Sequence, residues 1–198
     1  IISVDDLTRF ALPLEAGPHF LITGTARSGK STLLRAWAHS LADAVDAAGT
    51  AGKLRLYVLD SRRQSLHSLR NLSIVGGYSS EPAAAEELLA RIETEIAGLS
   101  VSAAANGGGE HPAVVVIADD FGDRYDDALA ESSHERLAAL MRLGRNRPFH
   151  LLLAGRAADL SAKSYLDPVK SLKEAQIGFM LGSGDDAIFN TRLPYTER

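Results

Sequence analysis

Cysteine is absent from these 198 residues, so neither a disulfide nor a thiolate-held zinc or iron site can organise the fold. The six histidines are scattered rather than paired at ligand spacing, which argues against a structural metal of any kind. Long apolar runs are also missing: none approaches the roughly 18–20 residues that span a bilayer, and the first residues lack the basic-then-apolar pattern of a signal peptide. Nor is there a surplus of positive charge. With Lys+Arg at 21 against Asp+Glu at 25, the formal net charge is −4, so no global field attracts a polyanion and no nucleic-acid partner is expected. What is present is a 45% hydrophobic composition, sufficient for one substantial core without staples. The chain, residues 1–198, reads as a single domain, and its start on Ile1 and end on Thr196-Glu197-Arg198 suggest an excised fragment.

Along the chain, apolar strand candidates alternate with helical periodicity. Phe20-Leu21-Ile22-Thr23 runs into a glycine-rich turn, and residues 31–45 then place Leu33, Leu34, Trp37 and Leu41 at helical intervals. Leu54 to Leu59 forms a second strand that stops at Asp60, with Leu66 and Leu69 as anchors of the polar segment beyond it. Ser80-Glu81-Pro82 has the form of a helix cap, and Leu88, Leu89, Ile92, Ile96 and Leu99 define one buried stripe on a helix of about 18 residues. Residues 100–112, rich in alanine and glycine, read as an exposed loop. The continuous run Ala113 to Ala118 suits a strand covered on both faces, and Asp119 and Asp120 end it. Further on come a helix over 133–143, a strand from His150 to Ala154, a short helix within 163–173 and a last strand over 177–181. Asp185-Asp186 reads as a loop. This alternation predicts a three-layer α/β domain around a mainly parallel central sheet.

The segment Gly24-Thr25-Ala26-Arg27-Ser28-Gly29-Lys30-Ser31 matches G-x-x-x-x-G-K-[ST] in full, with an apolar strand before it and a helix after it. Glycines let successive N–H groups turn toward phosphate oxygens, and the new helix adds its unpaired N-terminal donors. Lys30 brings a point charge to the β- and γ-phosphates, and Ser31 offers an oxygen to Mg²⁺. Residues Gly24 through Ser31, with Thr32 behind them, are therefore the candidate ATP contacts. Asp119 at a strand end is the candidate second Mg²⁺ group. Asp120 stands where many such ATPases orient the attacking water with glutamate; one methylene shorter, it preserves binding better than turnover. Arg156 follows a strand and a glycine and is a candidate γ-phosphate sensor. Arg145, Arg147, Asp60, Arg62 and His150 read better as surface or strand-end residues.

Three stretches together resemble one family. The segment Gly24 to Ser31, the strand Val114 to Asp120, and the tail from Ser164-Tyr165-Leu166-Asp167-Pro168 through Gly178 to Ser183 and Phe189 to Pro194 are similar to FtsK/SpoIIIE-type ATPases. Within these the likeness is to the last ATPase domain of the EccC/EssC motor of type VII secretion. The resemblance implies a RecA-like core, ATP with Mg²⁺, tandem ATPase domains in a membrane-anchored bacterial protein, and cytoplasmic hexamers in which an arginine completes a neighbour's site. It also implies recognition of WXG-type helical hairpins through a C-terminal export signal. Two departures point to weak hydrolysis: Asp120 replaces the usual glutamate, and Gly155-Arg156 stands where FtsK-like translocases carry a threonine-glutamine pair. An active ATPase of the same motor and a DNA translocase are the alternative functions.

Overall fold

A computed structural model describes residues 19–99, 112–123, 131–182, 184–186 and 191–193. The elements are, in order, β1 (His19–Gly24), α1 (Lys30–Ala47), β2 (Leu54–Leu59), a 3-10 helix (His67–Asn71), β3 (Val75–Ser79), α2 (Pro82–Gly98), β4 (Ala113–Ala118) and α3 (Glu131–Leu143). They continue with β5 (Phe149–Arg156), α4 (Ala157–Ala162), α5 (Val169–Ala175), β6 (Gly178–Leu181), β7 (Gly184–Asp186) and β8 (Thr191–Leu193). Six strands form one sheet in the order β3-β2-β4-β5-β1-β6, and every pairing in it is parallel.

Strand alternation distributes the core over two faces. Leu21, Tyr57, Val114, Val116 and Leu151 point to a face covered by Leu88, Leu89 and Ile92 of α2, Leu137 and Leu140 of α3, Leu160 of α4 and Leu172 of α5. Phe20, Ile22, Val58, Val115, Ile117 and Leu152 point to the other, covered by Leu34, Ala38 and Ala42 of α1 with Leu66 and Leu69. A continuous aliphatic run such as Val114–Ala118 is thus fully buried because both of its faces meet helices. The result is the expected three-layer α/β fold with a parallel central sheet, a RecA-like arrangement.

Several local expectations are corrected. The sheet gains β3, where Gly76 and Gly77 dilute the apolar pattern that would mark a strand, and only pairing along β2 makes it one. Ser80 does not cap α2: Glu81 is the N-cap without a side-chain bond, its N–H donates to Ser79 Oγ at 3.3 Å, and Pro82 opens the helix as expected. The short helix within 163–173 is α5, which starts only at Val169 because proline has no N–H to give a helix interior and Pro168 becomes its N-cap; α4, over Ala157–Ala162, is an additional helix. Asp185 and Asp186 belong to β7, which pairs antiparallel with β8, rather than to a loop. The alanine- and glycine-rich segment 100–111 lies outside the described residues, as do Ser183, residues 187–190 and residues 194–198. Among the described residues no helix is long and apolar enough to cross a membrane.

Candidate functional site

Parallel pairing brings the C-terminal ends of β1, β4 and β5 to one edge of the sheet, with β5 between the other two. The register sets Gly24, the last residue of β1, opposite Arg156, the last residue of β5. From Gly24 the chain turns through residues 25–28 and enters α1 at Gly29, whose φ of 99° is left-handed and excludes most side chains at this point. No side chain caps the helix, so its first N–H groups remain available to an anion at the positive end of the helix dipole. Ser28 Oγ is buried in the same loop without a hydrogen-bond partner.

Lys30 sits in the first turn of α1 and is only 5% exposed. Its Nζ donates to the carbonyl of Thr25 at 2.7 Å and to that of Gly24 at 3.4 Å. Burial lowers its pKa; Asp120 and Asp119 oppose that shift, and Arg156 adds to it. Those four charges therefore share one electrostatic neighbourhood, although they come from three different elements or their ends.

Asp119 follows β4 and is 4% exposed. Its Oδ1 accepts the N–H of Asp120 at 2.9 Å, whereas Oδ2 is buried without a hydrogen-bond partner. Burial pushes this carboxyl up to about 6, Asp120 reinforces the shift, and the Ser31 hydroxyl draws it back. A buried carboxylate with an unused oxygen beside a serine hydroxyl is the donor chemistry of a hard divalent cation. Asp120 itself is left-handed, with φ 50°, and its side chain lines the cleft rather than the core.

That cleft, about 660 Å³, is lined by Ala26, Arg27, Ser28, Gly29, Lys30, Ser31 and Thr32 together with Asp120 and Arg156. The loop residues, Asp120 and Arg156 are thus gathered into one place; Asp119 lies outside this lining and meets it through the Ser31 hydroxyl. Gly24 and Thr25 take part through the carbonyls that hold Lys30. Three lining residues are new to this site: Arg63, Ser65 and Asp123. Arg63 and Ser65 lie in the loop after β2, and the only sequence signal for Asp123 was a third carboxylate shortly after the Asp119-Asp120 pair.

Other singled-out residues take structural places. Asp60 is buried and ties the turn after β2, accepting from Ser61 N at 2.8 Å, Leu66 N at 2.9 Å and Tyr78 Oη at 2.7 Å. Burial nonetheless keeps its pKa raised. Arg62 and Arg145 are exposed, and His150 is the second residue of β5. Arg147 corrects the expectation of a solvated cluster. Its guanidinium donates to the carbonyls of Leu99 and Leu143, joining the end of α2 to the end of α3.

Residues 4–99 match the FtsK/SpoIIIE family, and no curated protein matches the chain. Among solved structures, the cytoplasmic domain of the Thermomonospora curvata type VII secretion ATPase EccC is similar with a TM-score of 0.73 and 22% identity, over 93% of this chain and 22% of that one. T. curvata EccC ATPases 2 and 3, in complex with a signal sequence peptide, are similar with a TM-score of 0.71 and 23% identity, over 90% and 32% of the respective chains. EssC ATPases 2 and 3 from Geobacillus thermodenitrificans give a TM-score of 0.72 at 19% identity, over 98% and 35%. This chain therefore spans well under two thirds of these three solved chains. Residues 4–99 are thus similar to the FtsK/SpoIIIE family, and the described residues share the fold found in the EccC and EssC ATPases.

Proposed function

We propose that this chain is an ATP- and Mg²⁺-binding domain of a type VII secretion motor, weak or inactive in hydrolysis, that contributes to recognition of WXG-type substrates. The observation that carries the nucleotide reading is the convergence of the uncapped N-terminus of α1, Lys30, Asp120 and Arg156 on one cleft, with the buried Asp119 beside the Ser31 hydroxyl of its lining. Backbone donors from Gly24 to Thr32 would surround the phosphates. Lys30 would exchange the Thr25 carbonyl for phosphate oxygens, a stronger acceptor for an ammonium. Ser31 and Asp119 would hold Mg²⁺, which when bound neutralises phosphate charge.

Weak turnover rests on Asp120. Its carboxylate is one methylene shorter than a glutamate at the same place, and an ångström of misplacement can cost about 100-fold. The active-ATPase reading has one specific support: Asp120 lines the cleft and is the largest charge acting to stabilise the Lys30 ammonium. On the motor side, the solved EccC and EssC chains extend well beyond the part this chain covers, which supports residues 1–198 as one domain among tandem ATPase domains. The similar EccC and EssC chains are cytoplasmic domains, which supports a cytoplasmic place for this one; a membrane anchor and hexameric assembly of the whole protein are part of the same reading. The signal sequence peptide bound to a similar EccC chain supports export-signal recognition.

The test is ATP binding and multiple-turnover hydrolysis by the same purified chain with Mg²⁺, alone and with a WXG-type partner. Binding that Lys30→Ala weakens at least about 100-fold, with turnover no higher than that variant's, is the expected result. Robust turnover would replace it with the active-ATPase reading.

A further inference from the structure

Arg156 closes one side of the cleft, yet it reaches there already engaged by two carboxylates. Its Nε donates to Asp159 Oδ2 at 2.6 Å and its Nη2 forms an ion pair with Asp123 Oδ1 at 2.7 Å. Both contacts use the same edge of the guanidinium, and Nη1 has no partner among the described residues. An arginine fixed along its Nε–Nη2 edge keeps one face of its planar fork for a second anion, at little further loss of side-chain freedom.

Asp123 is the member of this group whose position needs explaining. Its side chain is 5% exposed, and a carboxylate so buried requires charged partners. It has Arg156 at 2.7 Å and Arg63 at 3.8 Å. The backbone delivers it there: Phe121 N–H donates to Ala154 O at 2.8 Å and Asp123 N–H to Asp120 O at 3.2 Å. Gly155 permits the approach, since a Cβ there would meet Phe121 O at 2.6 Å. Asp123 thereby links the loops after β2 and β4 to the end of β5, in the lining of the cleft that also holds Lys30.

We propose that Asp123, with Asp159, is a positioning residue that presents Arg156 to the terminal phosphate of a nucleoside triphosphate, so that this trio sets the preference for triphosphate over diphosphate. The inference rests on the nucleotide-site reading above. Because the carboxylates hold an edge of Arg156 and not its whole fork, they pre-organise the arm instead of occupying it. Removing one of them frees the guanidinium to rotate and returns it to solvent, and a diphosphate, having no third phosphate, loses nothing.

The experiment is equilibrium binding of ADP and of the β,γ-imido analogue of ATP, each with Mg²⁺, to the full chain and to Asp123→Asn, Asp159→Asn, Arg156→Ala and Asp123→Asn/Arg156→Ala. The expected result is a loss of about 10-fold in analogue affinity for Asp123→Asn and for Arg156→Ala, with ADP affinity within about twofold of the parent. The double variant should be no weaker than Arg156→Ala alone, since both changes remove one interaction. Retained ADP binding certifies the folded site; should Asp123→Asn lose it, Asp159→Asn carries the same test from the other carboxylate. An unchanged or increased triphosphate preference in the carboxylate variants would overturn the inference while leaving the nucleotide site intact. If the parent chain bound neither nucleotide above the Lys30→Ala level, both readings would fall together.

Discussion

Burial gives Asp119 a pH-dependent cost. Its carboxyl stands near 6 in the fold against an ordinary 3.8, so between those values the folded protein holds more of a proton than the unfolded chain does. Stability is therefore greatest, as far as this group goes, below about 3.8 and is lost as pH rises toward 6, beyond which the full cost of the charge is present. At roughly 1.4 kcal/mol per unit this is on the order of 3 kcal/mol. Asparagine has no such charge. Asp119→Asn should accordingly melt higher than the parent at pH 7, by about 6–12 °C, with the advantage shrinking toward pH 4. Thermal melts of both proteins across pH 4–7 check this, and a parallel or reversed trend would contradict it. The same variant should lose the part of ATP affinity that depends on Mg²⁺, measured by titration with and without the ion. Residues of this kind were readable from the sequence because strand-end position and motif spacing are local. Asp123 was not, since nothing in its neighbourhood along the chain reveals that Arg156 folds against it.

Elements were easier to recognise than the manner of their contact. The large apolar residues of α1 suggested a stripe through Leu33, Leu34, Trp37 and Leu41, yet the line pressed most deeply on the sheet is Leu34, Ala38, Ala42 and Val45, with the other three at its margin. Small residues there let the helix axis lie close to the strands. Ala38→Leu should therefore destabilise by about 1–3 kcal/mol through overpacking, read by urea denaturation, whereas the same change at exposed Ala44 should stay within about 0.5 kcal/mol. The end of β5 is set by the same close-packing rule. A threonine at 155, as in FtsK-like translocases, would bring its Cβ to 2.6 Å from Phe121 O. Gly155→Thr should cost more than about 1 kcal/mol and, by displacing the loop that bears Asp123, weaken triphosphate binding more than ADP binding.

Across the whole molecule, the parallel order β3-β2-β4-β5-β1-β6 is what assembles the cleft, because it sets β5 between the strand that precedes the glycine-rich turn and the strand that Asp119 follows. A ligand that bridges α1, the β4 end and the β5 end must stabilise the entire fold by mass action. ATP with Mg²⁺ at 100 times its Kd should raise the unfolding free energy by about 2.7 kcal/mol, visible as an upward shift in melting temperature that Lys30→Ala abolishes. A net charge of −4 gives the same molecule no field for duplex DNA, so binding at about 150 mM salt should be undetectable by fluorescence anisotropy. Salt-sensitive DNA binding there would favour the translocase alternative.

By itself the sequence determined what depends on short spacing. The glycine-rich turn between β1 and α1, the two strand-end aspartates, the helical stripe of α2 and the buried character of β4 all follow from residues within a few turns of one another, where backbone conformation and apolar periodicity leave few choices. Tertiary structure decided the rest. Gly76 and Gly77 hid β3 until β2 supplied its partner, Arg147 became a clasp between two helix ends rather than a surface charge, and Arg156 acquired Asp123 and Asp159 as anchors. Each of these depends on groups brought together by strand order and register, which the periodicity of a single segment does not encode.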